Sequence, residues 1–178
     1  ESRGEAFKDL VLDLLEISRI DAGVADLVEE SIVVEELVRA ILLATGDEGV
    51  PVHASAGSLA TVIGDKRRLG QVLQNLIENA HRHGGGPTSI GIERIGGSVV
   101  ITVDDDGPGV PEHERTHIFH RFARGSGVGS TEGSGLGLAL VCEHLRLHRG
   151  SISVEASGSG GSRFRVVLPA APSDEVRR

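Results

Sequence analysis

The chain has one cysteine, no tyrosine, tryptophan or methionine, and only four phenylalanines among 178 residues. The single thiol, Cys142, excludes an internal disulfide, fits a reducing compartment, and reads as a small core residue. With so few aromatics, a core has to be assembled from Val, Leu, Ile and Ala. Positive charge is also short. Eighteen Lys and Arg against twenty-six Asp and Glu leave a net charge of −8, which argues against a nucleic-acid or anionic-membrane partner. Any phosphate site must then be built locally, from backbone amides, a metal ion and one or two basic side chains. No apolar run approaches the ~20 residues of a membrane span, and there is no signal-peptide pattern. The expectation is a soluble intracellular piece. What the chain has in excess is glycine, 25 residues in all, about twice the usual frequency.

Residues 65–83 organise the rest. Leu69, Val72, Leu73, Leu76, Ile77 and Ala80 recur at helical spacing and make one broad apolar face. Asp65 stands where an N-cap belongs, and Gly84-Gly85-Gly86-Pro87 stops the helix. Wound at about 3.6 residues per turn, Asn75, Asn79 and Arg82 fall in one line beside that face, with His83 at its border. Such an edge suits a metal-bound polyphosphate and a planar base. Most such edges are solvated polar flanks, and that is the commoner explanation from this helix alone.

Before it, Phe7, Leu10, Leu14 and Ile17 form a heptad-like seam on a helix of roughly 2–20, expected to pack on another helix. An extended piece (31–33), a helix (34–44) and two candidate strands (52–55 and 60–64) follow. After it, 88–95 and 98–104 alternate across Gly96-Gly97 as a hairpin. A short helix is expected from Pro111, a flexible Gly/Ser/Thr stretch over 125–135, a helix over 136–148, and a second hairpin from 151–156 and 163–168. Residues 170–178 read as a frayed tail. This order indicates α+β: a two-layer α/β sandwich, its mixed and largely antiparallel sheet covered on one face by helices, preceded by a bundle-type helix.

Two glycine motifs carry chemistry. Asp105-x-Gly107-x-Gly109 closes a strand with a turn that admits close approach by a ligand, beside a carboxylate able to accept from an exocyclic amine. Gly133-Ser134-Gly135-Leu136-Gly137-Leu138 opens a helix, where free amides and the macrodipole favour phosphate. No Lys follows its last glycine, so it is not a P-loop. Each is weak alone.

In combination they are specific. Asn75-x-x-x-Asn79, Asp105-x-Gly-x-Gly, Phe119-x-x-Phe122 and Gly133-x-Gly-x-Gly, in that order, resemble the N, G1, F and G2 boxes of the ATP-binding domain of sensor histidine kinases. The same superfamily includes DNA gyrase, MutL and the heat-shock chaperone ATPases. The resemblance covers about 33–168, and residues 13–21 resemble the second helix of the dimerisation and phosphotransfer domain. It implies three parts: that helix (1–22), the catalytic ATP-binding domain (23–169) and a tail (170–178).

By that resemblance, ATP and Mg²⁺ are the ligands. Asn79 would hold Mg²⁺ on the triphosphate, Asn75 would support it one turn earlier, and Arg82 would contact phosphate. His83 would pack on the nucleotide where many relatives carry Tyr. Asp105 would read adenine N6, with Gly107 and Gly109 lining the base pocket; Phe122 of the F box and Arg124 just after it would also bind the nucleotide. Residues 125–132 would be the ATP lid. Gly133, Gly135, Leu136, Gly137 and Leu138 would line the phosphate end, with Gly135 and Gly137 giving amides. His120 departs from the acidic residue common at its place in the F box. The implied partners are a phosphoacceptor helix of the same protein, a response regulator and, in the full-length protein, a second copy. The implied location is the cytoplasmic portion of a parent anchored in the cell membrane.

The phosphoacceptor motif, a His followed by an acidic residue and then a Pro, is missing from all eight histidines. The acceptor is therefore expected upstream of Glu1. Asn75 also stands where the superfamily's ATPases carry a water-activating Glu, and a carboxamide cannot take that proton. ATP hydrolysis is expected to be poor. One decoy is His113-Glu114-Arg115-Thr116-His117, which matches the zinc-protease pattern. Its helix would be about two turns long with no third ligand in evidence, so it reads as a surface segment.

Overall fold

Asp65 ends one element and begins the next. Its side chain accepts from the Arg68 backbone N–H at 3.0 Å, capping the long helix, while the Val28 N–H donates to its other oxygen at 3.2 Å. Burial by itself would raise the pKa of this carboxyl. Those two amides, with Arg67 and Arg68 nearby, outweigh it and hold the pKa below the ordinary value.

The structure, a computed structural model, describes residues 3–55, 59–123 and 134–172. In chain order its elements are α1 (Arg3–Asp21), β1 (Glu29–Val33), α2 (Val34–Thr45), β2 (Val52–Ala54), β3 (Thr61–Asp65) and α3 (Lys66–Gly84). Then come β4 (Pro87–Ile95), β5 (Ser98–Asp105), two 3-10 turns (Glu112–Glu114 and His117–Phe119), α4 (Gly137–Leu147), β6 (Ser151–Ala156) and β7 (Ser162–Pro169). Every expected helix and strand is present, shifted at most by two residues at an end. The short helix expected from Pro111 appears as the first 3-10 turn, capped by that residue.

The strands divide into two sheets rather than one. β1 and β3 pair antiparallel as a separate ribbon, and five strands run in the order β2-β4-β5-β7-β6. Only β2 is parallel to its neighbour β4; the remaining pairs are antiparallel. Period-two alternation turns Ile90 and Ile92, Val99, Ile101 and Val103, and Phe164, Val166 and Leu168 toward the helices. They pack against Val72, Leu73, Leu76 and Ile77 of α3, Leu37 and Val38 of α2, and Val141 and Leu145 of α4. This is the two-layer α+β architecture.

Two segments depart from expectation. Ala170 and Ala171 belong to the packed body instead of a frayed tail: their N–H groups donate to Gly97 and Thr61 carbonyls at 2.9 and 2.7 Å, and Ala171 is buried. The α1 seam is covered unevenly, with Leu10 half-buried against the cluster that holds its C-terminal end. Ile17 and Ile20 are buried against Leu136 and Leu140, whereas Phe7, Val11 and Leu14 are exposed.

A polar network completes this contact between α1, α3 and α4. Glu16 pairs with Arg68, whose guanidinium also lies 3.4 Å from Nδ1 of His144, while Gln71 Oε1 is 3.2 Å from His144 Nε2. Burial, reinforced by Arg68, pulls the His144 pKa down to about 4, so the ring is neutral. His148 has a fixed tautomer as well. Its Nδ1 donates to the His144 carbonyl at 2.6 Å, and its Nε2 accepts the Asp65 N–H at 2.9 Å.

Candidate functional site

The inward parity of β5 runs Val99, Ile101, Val103, Asp105, so the last inward position of an apolar strand is filled by a carboxylate. Asp105 is 2 % exposed, while Asp106 is exposed and Asp104 faces outward in a bidentate pair with Arg163 at 2.7 Å. Strand parity thus selects the same residue of the three-Asp run as the motif frame. A buried carboxylate needs donors, and Asp105 has two. The N–H groups of Gly107 and Ser162 give 2.8 and 3.1 Å bonds to its Oδ1. Among the described residues none donates to Oδ2, which is left free to accept.

The loop between β6 and β7 seals this end. Ser157 Oγ donates to the Asp105 carbonyl at 3.2 Å, and Ser159 pairs with Asp106. Gly161 presses so closely on the Asp105 carbonyl that a side chain there would collide with it, and a side chain at Gly109, where φ is +74°, would meet the Gly160 carbonyl at 3.1 Å. Ser157, Gly161 and Ser162 were not among the residues selected by sequence. Their only signal was a glycine-rich hairpin turn, which reads as a connection until the fold lays it over Asp105.

α3 reaches the same place from the other side. The His83 carbonyl lies where a Gly107 side chain would be, at 2.6 Å. Asn75, Asn79, Arg82 and His83 do lie along one edge. Asn75 and Asn79 are half-buried, and Arg82 and His83 are exposed. Surrounding protein, then the Arg82 charge, lower the His83 pKa, with Asp105 pulling weakly the other way. Asn79 makes no hydrogen bond and Arg82 no ion pair with any described residue. Asn75 is engaged: its Nδ2 donates to the Gly137 carbonyl at 3.4 Å, tying α3 to the first residue of α4.

At the far end of the edge lies the glycine turn before α4. Gly135 has φ +70°, and the Phe122 backbone packs against it while the Phe122 N–H donates to its carbonyl at 2.9 Å. Residues 122–123 and 134–135, which flank the undescribed stretch 124–133, are therefore joined. Ser134 Oγ accepts the Leu136 N–H at 3.1 Å. Leu136 itself is wholly buried against α1, and Leu138 packs into the main core, so their side chains point away from the edge. Of the two phenylalanines, Phe119 packs edge-on against Phe164 with centroids 6.4 Å apart, while the Phe122 side chain is 60 % exposed. Arg124, Gly133 and the expected lid at 125–132 lie outside the described residues.

The decoy resolves in the same geometry. Residues 112–119 form two separate 3-10 turns instead of one helix, so His113 and His117 are not presented a turn apart. His113 pairs with Glu114 at 3.6 Å, His117 meets His120 edge-on, and no group of metal-binding side chains occurs among the described residues. Burial and Glu143 push the Cys142 thiol up to about 11, so it stays protonated. No helix among the described residues is long and apolar enough to cross a membrane.

Residues 64–172 match the family described as histidine kinase-, DNA gyrase B-, and HSP90-like ATPase. The signal transduction histidine-protein kinase AfsQ2 of Streptomyces coelicolor is 39 % identical over 174 residues, 97 % of this chain and 32 % of that protein. The chain spans about a third of the length of that relative. Among solved structures, full-length ShkA in complex with AMPPNP superposes with a TM-score of 0.75 at 28 % identity, covering 93 % of this chain and 36 % of ShkA. The ATP binding domain of PrrB from Mycobacterium tuberculosis gives 0.63 at 29 % identity, covering 81 % of this chain and 98 % of PrrB.

Proposed function

From the premise that this chain belongs to the histidine kinase-, DNA gyrase B-, and HSP90-like ATPase family, we propose that it is the catalytic ATP-binding unit of a two-component sensor histidine kinase. It transfers the γ-phosphoryl group of ATP to a histidine on a dimerisation helix, for relay to a response-regulator aspartate. The observation that carries this reading is the pairing of a buried Asp105, whose Oδ1 takes two N–H donors and whose Oδ2 takes none from any described residue, with a glycine turn at the opposite end of the Asn75–Arg82 edge. Asp105 Oδ2 accepts from adenine N6, Gly107 and Gly109 admit the base, and His83, neutral at physiological pH, packs on the nucleotide. Arg82, which forms no ion pair with any described residue, meets phosphate. The amides of Gly135 and Gly137 serve the β and γ phosphates, while Leu136 and Leu138 anchor the turn by their side chains. Phe122, Arg124 and Gly133 complete the nucleotide-binding set, with 125–132 as the lid.

Magnesium fits the donor set. Asn79 offers one neutral amide oxygen, and Mg²⁺ characteristically takes one or two protein groups while substrate phosphates and water fill the rest. When bound it neutralises phosphate charge. Phosphoryl transfer requires mainly positioning and charge stabilisation, and Arg82, Asn79 and the turn amides supply both. Asn75 holds α3 to the turn and supplies no base, so water is not activated, whereas a neutral imidazole is already nucleophilic.

The assembly in which this operates follows from the same reading: residues 1–22 as the second helix of the dimerisation domain, a homodimeric parent anchored in the membrane with this portion in the cytoplasm, and 23–169 as the catalytic domain. The test is transfer of labelled γ-phosphate, with Mg²⁺, to a separately supplied acceptor helix carrying a His-Glu/Asp…Pro motif. Phosphohistidine should form only when that helix is present, while phosphate release stays well below ~1 s⁻¹. Rapid phosphate release without transfer, abolished in Asn79→Ala, would place the chain with the ATPases instead.

A further inference from the structure

A cation closes the end of the sheet opposite to Asp105. The inward parity of β4 runs Ile90, Ile92, Arg94, so a guanidinium fills the last inward position of an apolar row. Arg94 pairs with Val99, and Val99 and Asp105 lie about 20 Å apart along β5. One terminal nitrogen of Arg94 donates to the Ala171 carbonyl at 3.3 Å, and the half-buried guanidinium forms no ion pair with any described residue. Beside it opens a cavity of about 370 Å³, within the range of small-molecule sites. Val33, Leu59, Ala60 and Ile92 supply its apolar lining. Among the described residues the one carboxylate on its wall, Glu35, is already bound to Arg39 by bonds of 2.7 and 3.0 Å. Thr61 adds a second unmet group. It stands opposite Val33 in the β1–β3 register, so the two side chains share a face. Its hydroxyl is buried without a hydrogen-bond partner among the described residues, which marks a place for water or a ligand.

We infer that this cavity binds a small organic acid with an apolar tail, its carboxylate on Arg94 and its aliphatic part against Val33, Leu59, Ala60 and Ile92. Charge decides the class. A half-buried guanidinium without a counter-ion favours an anion, and its remaining N–H groups suit the two oxygens of a carboxylate. An uncharged hydrocarbon would leave the cation unmet, and an inorganic anion would leave the aliphatic wall wet. Satisfying both surfaces at once takes a charged head on a short apolar body. The acid arrives free from solution. A rival source of the same chemistry is this chain's own Asp174 and Glu175, close in sequence to Ala171. The site stands at the other end of the sandwich from the nucleotide pocket, so the inference is independent of the kinase reading.

The test is a titration of the full 178-residue chain with octanoate, followed by amide NMR shifts. Octanol, which lacks the charge, and acetate, which lacks the tail, are titrated separately. Octanoate should shift the amides of Ala60, Ile92 and Arg94 saturably, with octanol and acetate about 10-fold weaker or more. Arg94→Gln should lose about 10-fold in octanoate affinity, and Arg94→Lys, which keeps the charge without the fork, should lose less. Leu59→Glu sets a like charge on the wall at an exposed position and should weaken binding in the same sense. Undiminished affinity in Arg94→Gln, with β4 and β5 signals matching the parent, would overturn the site. If that variant fails to fold, undiminished affinity in Leu59→Glu does so instead. Octanol binding as tightly as octanoate, or no saturable shift at these amides, would also overturn it. Binding that appears only once residues 173–178 are removed would give the site to Asp174 or Glu175 and overturn the free-acid reading.

Discussion

At the Asp105 end of the site, the last inward residue of a central strand receives two backbone N–H groups and is covered by a serine- and glycine-lined hairpin loop. At the Gly135 end, a turn is held by one hydrogen bond from Phe122, one from Asn75 to Gly137, and the flank of a helix outside the sheet body. The first end is built on continuous pairing from β4 through β6. The second is built on side-chain contacts between separate elements, α1 among them. Rigidity suits recognition of a planar base, which arrives with one fixed edge. A phosphate chain has many conformers and a reacting end, so the part that holds it must be able to move.

The sharpest way to break this contrast is Asp105→Ala. It removes the proposed N6 acceptor and leaves the Gly107 and Ser162 amides without a partner, each orphaned donor costing about 1–3 kcal/mol. Nucleotide affinity should fall by about 10- to 100-fold, with a lowered denaturation midpoint from which the domain still refolds. Full ATP affinity in this variant, by calorimetry, would remove Asp105 from the site.

Acid should act on the other end. His144, beneath the α1 contact, has its pKa lowered to about 4, so below the ordinary value near 6.5 the unfolded chain takes up a proton that the folded chain refuses. The stability contributed by the neutral ring is complete above that value and is lost as the pH falls toward 4, up to about 3 kcal/mol. The lowered Asp65 pKa adds a loss of the same sign at lower pH. Urea midpoints measured from pH 7 to pH 4.5 should fall in the parent and flatten in His144→Gln. Equal slopes in the two would show that the buried ring does not govern acid stability.

The smallest effect should come at Phe122. Its φ of +60° is unfavourable for an aromatic residue and its side chain is exposed, so Phe122→Gly relieves strain while adding chain entropy. The two nearly cancel, and the melting midpoint should correspond to a change within about 1 kcal/mol. A large loss would mean that the aromatic ring carries weight at this end beyond its backbone bond to Gly135.

Much of this was legible in the chain before any coordinates. The 3.6-residue period of α3, the N-cap at Asp65 and the alternation through Val99, Ile101 and Val103 are local properties, written by neighbours in sequence. So were the order and spacing of Asn75, Asn79, Asp105, Phe119 and Gly135, because a nucleotide-binding motif requires given residue types at given turns. Tertiary structure decided what depends on distant partners. It separated β1 and β3 into their own ribbon, placed Ser157, Gly161 and Ser162 over Asp105, and tied Ala171 to Thr61. It also sent the Leu136 side chain to Ile17 and Ile20, more than a hundred residues away. Periodicity specifies which face of an element is apolar, but which surface covers that face is settled only when the chain closes on itself.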